Sequence, residues 1–161
     1  DTESKLPEIT YWLMGSFSTI VSKDVKMLFL PLSIGLVPLF LLRWQLNAMA
    51  FGDEEAQSMG LNTKKLRQVY IAAATLLTAG CVAISGMIGW IGLIIPHLAR
   101  ILVGPNYKYL IPASFLTGGI FLLLVDDFAR SVFTMELPLG ILTSLIGAPF
   151  FVYLLIKSRK E

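Results

Sequence analysis

Between Gln68 and Ala99 the chain runs 32 residues without an Asp, Glu, Lys or Arg. Three further uncharged runs, 27 to 42, 109 to 125 and 137 to 156, share its apolar character. A helix rises about 1.5 Å per residue and a bilayer's hydrocarbon core is about 30 Å thick, so about 20 apolar residues cross it. Each of the three shorter runs is one spanning segment. The longest, about 48 Å as a single helix, exceeds one membrane thickness and has to break. Gly86, Gly89, Gly92 and Pro96 supply the break, because glycine permits turns and proline removes an internal backbone bond. Composition agrees: 55% of the 161 residues are apolar and 15% charged, against about 25% in a soluble domain.

Whether the chain turns back at that break is read from the side on which Lys and Arg fall, since cytoplasmic loops are enriched in them. A turn back puts nine on one side (Arg43, Lys64, Lys65, Arg67, Arg100, Lys108, Lys157, Arg159, Lys160) and four opposite (Lys5, Lys23, Lys26, Arg130). A single crossing divides them five against eight. The more asymmetric division predicts an all-α polytopic bundle of about five membrane segments in a single domain, 1–161. Its N-terminus lies outside, loops 43–67 and 100–108 inside, loop 126–136 outside and the C-terminus inside. Residues 89–102 make a short second pass that other helices must shelter. The polar opening Asp1-Thr-Glu-Ser-Lys5, with no leading methionine, is expected to lie within a longer polypeptide rather than to begin a signal peptide.

The net charge of +2 is small and scattered, which excludes the clustered basic face a nucleic-acid partner needs. One cysteine, Cys81, excludes an intrachain disulfide and a multi-cysteine metal site, and it is expected in the core. Small residues inside the spans (Ala72 to Ala74, Ala79, Gly80, Ala83, Gly118, Gly119, Gly140, Gly147, Ala148) mark close helix contacts. Trp12, Trp44 and Trp90 suit the membrane interfaces.

The long polar loop from Gln45 to Asn62 carries helix signals: Asp53 as N-cap, Glu54 and Glu55 where the helix dipole favours negative charge, and Gly60 as a stop. These predict a short helix over 53–59. Ala56 and Met59 share one of its faces, and with Met49 and Phe51 they form an apolar knob. Such a knob either lies back on its own bundle or plugs a partner's groove, and spacing alone leaves both readings open.

Six blocks in order resemble the FecCD-type permease subunits of ABC importers for iron-siderophores, haem and cobalamin. They are Tyr11-Trp-Leu-Met-Gly-Ser-Phe17, Leu46-Asn-Ala through Gly60, Gly89-Trp-Ile-Gly-Leu-Ile-Ile-Pro-His-Leu-Ala-Arg100, Leu110-Ile-Pro-Ala113, Ala129-Arg130, and Glu136-Leu-Pro-Leu-Gly140 with Ile146-Gly-Ala-Pro149. The resemblance covers the chain as the C-terminal half of such a permease. It implies ten helices per subunit, an inverted repeat, a homodimer or paired permease subunit, ABC ATPase subunits at the cytoplasmic face and an external substrate-binding protein. It assigns ATPase coupling to loop 46–61, with Asn47, Ala48, Phe51, Gly52, Glu55, Ala56, Met59 and Gly60 as its residues. Trp12, Met14 and Gly15 become pathway candidates, and Arg130 a docking residue for the external protein. Met87, where the family often has proline, and Asp127, where an apolar residue is usual, depart from the pattern.

No cofactor, metal site or catalytic residue is expected. His97 has no second histidine to complete a metal site, and a lone histidine with apolar neighbours is more often structural. Asp126 and Asp127, adjacent on a helix, point about 100° apart and cannot share a proton, whereas Asp126 and Arg130 are spaced to pair. No Gly-rich phosphate loop appears, so the chain binds no ATP itself. The sequence thus reads as a permease subunit of the cytoplasmic (inner) membrane, embedded in lipid, that moves an iron-siderophore-type metal chelate while partner subunits hydrolyse ATP. A membrane-embedded hydrolase using His97 and the aspartates, or half of an ion-coupled secondary transporter, are the alternatives.

Overall fold

A computed structural model describes residues 2–18, 20–132 and 137–158. They form helices α1 (Thr2–Met14), α2 (Ser22–Leu41), α3 (Arg43–Met49), α4 (Asp53–Ser58), α5 (Thr63–Ser85), α6 (Ile91–Val103), α7 (Tyr107–Val132) and α8 (Leu139–Ser158), and no strand appears among the described residues. By length and apolarity α2, α5 and α7 suffice to cross a membrane, while α6 and the stretch Leu139–Tyr153 of α8 are shorter apolar helices. These are the five expected segments.

The segments pack as a pair and a trio. Helices α2 and α5 lie along each other, and α6, α7 and α8 form the second group. Small residues set the pair's spacing: a Cβ on Gly35 would meet Leu77 Cγ at 2.6 Å, and one on Gly80 would meet Leu28 Cδ1 at 2.9 Å. Ala73 is buried, but Ala72, Ala74 and Ala79 are exposed, so only part of the small-residue pattern marks contacts within this chain. At the end where α1 meets α8, Val125, Ala129, Leu139 and Leu142 form a buried cluster against Phe17, Ile88 and Phe121. Large apolar side chains elsewhere face outward, Phe29, Leu123 and Leu145 among them, as lipid-facing or partner-facing helices require.

The chain does turn back at the expected break. Loops 43–62 and 104–106 meet at one end, where Asn47 Nδ2 donates to Asn106 Oδ1 at 2.9 Å and Tyr107 N donates to Asn47 Oδ1 at 2.9 Å. A single crossing would have put them at opposite ends. Gly86 (φ 70°) closes α5, whereas Gly92 and Pro96 lie inside α6, so the reversal needs only the segment 86–90. That segment also answers the shortness of α6. Thirteen helical residues rise about 20 Å, and residues 87–90, running beside α8 from Gly140 to Gly147, add about 10 Å, together about the thickness of a bilayer core.

Several boundaries differ from the sequence expectation. Helix α7 continues to Val132, so 126–132 are helical rather than loop; the rest of that loop, 133–136, with Glu136 of the sixth block, lies outside the described residues. Helix α5 begins at Thr63 because Asn62 caps it, its Oδ1 accepting from Lys65 N at 3.0 Å. Helices α1 and α3 were not anticipated. Cys81 is exposed on α5 rather than core. Trp90 takes a left-handed φ of 66° and packs on Gly147, eight residues into α8, with its ring 5.6 Å from that of Phe151.

Candidate functional site

Two regions gather the chemistry, one at each end of the bundle. The first is the α3–α4 unit. Gly52, with φ 120°, is the residue before α4. Asp53 is therefore the first helical residue rather than the cap, and its carboxylate accepts two bonds from Arg67 Nη2 at 2.8 and 2.9 Å. Gly60, at φ 81°, ends α4 in a Schellman turn, with Leu61 N donating to Ala56 O at 3.1 Å and Gly60 N to Gln57 O at 2.9 Å. Only a residue free of the Cβ penalty sits easily there.

This unit is held at both ends. Asn47 fastens α3 to the α6–α7 turn through the two bonds given above, and Asn106 Oδ1 also accepts from Lys108 N at 2.9 Å, capping α7. Arg67–Asp53 and a bond from Gln57 Nε2 to Thr63 Oγ1 at 3.1 Å fasten α4 to α5. Arg67, Asn106, Asn62 and Thr63 escaped the sequence reading. The asparagines before helical runs were cap signals that could have been read, but the partners across the fold could not.

The expected apolar knob divides in two. Ala56 has no exposed surface and Ala48 is buried, so both face the bundle. Phe51 is 73% exposed and Met59 61% exposed, and Glu55 is exposed beside them. Ala56 thus lies back on the bundle, while Phe51 and Met59, which flank the six-residue helix, project outward.

At the other end Trp12, Met14 and Gly15 close α1 against the α5–α6 break and the start of α8. Trp12 Nε1 donates to Ala83 O at 3.3 Å, Ser16 N to Ser85 O at 3.0 Å, and Gly140 N to Gly15 O at 3.3 Å. Three glycines make this approach possible. A Cβ on Gly15 would lie 2.5 Å from Met87 O, one on Gly86 would strike Trp12 O, and one on Gly140 would strike Met14 O. Beside the junction, between α1 and α5, opens a groove of about 610 Å³ lined by Glu8, Tyr11, Trp12, Asp24 and Ser85.

Arg130, at the same end, donates from Nε to Asp126 Oδ2 at 2.9 Å, the i,i+4 pair its spacing predicts, and its side chain remains 61% exposed. Asp127 is exposed on another face of the helix, so the two aspartates form no dyad. His97 stands edge-on to Phe150, ring centres 5.8 Å apart.

The sequence pattern of the FecCD transport family matches residues 2–157. The chain is 46% identical over 160 residues to the molybdate import system permease protein MolB of Haemophilus influenzae, covering 99% of this chain and 48% of that protein. It is 45% identical over 153 residues to the Fe(3+)-citrate import system permease protein YfmE of Bacillus subtilis, covering 93% and 46%. A solved structure of a protein assigned as a metal-chelate type ABC transporter, in an inward-facing conformation, superposes with a TM-score of 0.88 at 47% identity, over 98% of this chain and 51% of that one. The chain therefore spans about half the length of the relatives it matches. Its apolar helices and these relatives make it a multi-pass chain of the cytoplasmic (inner) membrane. With 44% identity over 96% of the chain to an iron chelatin permease of Helicobacter pylori besides, it belongs to the FecCD transport family.

Proposed function

We propose that this chain is the C-terminal half of a permease subunit of a binding-protein-dependent ABC importer, and that it carries an iron-siderophore-type metal chelate across the cytoplasmic membrane. On this reading the α3–α4 end faces the cytoplasm and receives an ABC ATPase subunit, the α1/α8 end faces outward towards an external binding protein, and a second permease subunit completes the pathway. Hydrolysis of ATP occurs in the partner; this chain moves.

The observation that carries the reading is the α3–α4 unit. A six-residue helix is too short to be stable alone, so its fixed place comes from the bonds at its two ends. Those bonds also make it a lever: a push on the exposed Phe51 and Met59 is passed to α5 through Asp53–Arg67 and to α7 through Asn47. Apolar side chains on a short helix with an acidic start suit a helix-in-groove contact. The metal-chelate assignment draws support from the similarity to the ferric-citrate permease protein and to the solved metal-chelate type transporter.

The test is co-purification of the ATPase subunit with the full-length permease. Phe51→Glu and Met59→Glu put a charge at the centre of the proposed contact and should lower partner recovery at least tenfold, with the permease still folded, because an unpaired charge at a contact centre costs several kcal/mol. Undiminished recovery and undiminished transport in both variants would overturn the assignment. Ala56→Arg is a poorer probe, since Ala56 is buried within the chain and the change would also disturb folding.

A further inference from the structure

Among the described residues, 87–90 descend into the bundle between two apolar segments without helical pairing. Their descent is recorded on α8. A Cβ on Gly140 would lie 2.9 Å from Met87 O, one on Gly89 would lie 3.7 Å from Ser144 Oγ, and Gly147 lies under Trp90. Going from residue 140 to 147 moves about 10 Å along a helix axis, so the segment runs well below the end of α8. Among the described residues the N–H groups of Met87, Ile88, Gly89 and Trp90 have no acceptor. The carbonyl of Ile88 likewise accepts nothing there.

Unpaired backbone groups at membrane depth are expensive in hydrocarbon, each costing several kcal/mol, and irregular backbone is found there only where protein buries it or water reaches it. Burial within this chain covers only part of it: Ile88 and Trp90 are half-buried, but Met87 is 51% exposed and Gly89 is exposed. The segment also continues directly from Ser85, which lines the groove beside Trp12 and Ser16. A groove carrying Glu8, Asp24 and Ser85 among apolar neighbours, the row of donors at 87–90 and the Ser144 hydroxyl thus follow one another down one side of the bundle.

We infer that residues 87–90 line a water-filled stretch of the translocation path, their free N–H groups serving as donors to water and to the acceptor oxygens of a passing polar solute. This rests on the transport reading and extends it to a segment outside the block Tyr11–Phe17, where the pathway residues were first placed. The donors are main-chain groups, so they recognise any acceptor oxygen rather than one side-chain pattern.

The experiment is thiol accessibility in the full-length permease in membranes, in a Cys81→Ala background. Met87→Cys and Gly89→Cys are compared with Leu123→Cys on α7, which is at least as exposed in this chain as Met87 but lies within a helix. Gly89 tolerates a side chain, since its φ is not positive and its nearest neighbour is at 3.7 Å. A small cationic methanethiosulfonate, applied to both membrane faces, should react at 87 and 89 at least tenfold faster than at 123. Amide hydrogen exchange on the unsubstituted protein supplies an independent reading: the amides of 87–90 should exchange far faster than those of residues 113–124. Slow reaction at 87 and 89 in transport-competent variants, reaction at 123 as fast as theirs, or protected amides would overturn the inference while leaving the transport reading intact. Failure of the transport reading itself shows separately, in the ATPase co-purification.

Discussion

Arg130 carries one contact and a good deal of unused capacity. Its Nε is committed to Asp126, which fixes the side chain's direction, while 61% of the side chain is open to solvent. An exposed i,i+4 ion pair is worth only about 0.3 to 0.5 kcal/mol. Its terminal nitrogens, meanwhile, keep the planar fork that matches a carboxylate. If Arg130 docks the external binding protein, as the family resemblance implies, Arg130→Glu should weaken that association by far more than the internal pair is worth, because like charges facing each other across an interface cost several kcal/mol. Association of the unsubstituted transporter should also weaken as salt rises towards about 1 M, where the screening length falls to about 3 Å. Affinity of the binding protein for the assembled transporter at two ionic strengths decides it: no change in Arg130→Glu would leave the Asp126 pair as the residue's whole role.

Among the elements, α3 is the clearest case of a segment whose sequence says little and whose contacts say much. Its seven residues, Arg43–Met49, have no side-chain cap; the helix packs on α7 through the buried Ala48 side and is tied to the α6–α7 turn by one amide. Asn47 uses both ends of that amide, donating to Asn106 and accepting from Tyr107 N, and so joins positions 59 and 60 residues away. Asn47→Ala leaves the Tyr107 N–H without this acceptor, at a cost of about 1 to 3 kcal/mol. The expected result is a lowered melting temperature of the purified protein together with faster proteolysis of loop 43–62. Asn47→Asp retains the acceptor oxygen and should restore part of the loss. Equal stability in all three proteins would show that α3 is held by packing instead.

For the whole molecule, the connectivity puts 42–62 and 104–106 at one end and the α1, 86–88 and α8 junction at the other. The charge count predicts that the α3–α4 end is the inner one. Cysteines at Ser58 and Ser131, both exposed and at opposite ends, convert this into a measurement. In a Cys81→Ala background, an impermeant thiol reagent added to intact cells should label Ser131→Cys and leave Ser58→Cys untouched until the membrane is opened. The reverse pattern would invert the sidedness without altering the fold, and would move the proposed ATPase contact to the wrong face.

Hydropathy and charge, which are local properties of a chain in a bilayer, determined the five apolar segments, the break near Gly86, the reversal after it and the short helix ended by Gly60. All of these follow from counting residues against a membrane thickness and reading single-residue conformational limits. The family resemblance was legible for the same reason, in short blocks. Direction and partnership were decided only in three dimensions. Nothing in the spacing of Ala56 and Met59 says that one is buried and the other open, since that depends on where α5 passes. Asp53 looked like a cap until Arg67, fourteen residues on, took its carboxylate. The descent of 87–90 beside α8 depends on Gly15, Gly86 and Gly140 meeting where side chains would collide, and the sequence scatters those three glycines over 125 positions. Close packing is a relation between surfaces, and only the folded chain brings those surfaces together.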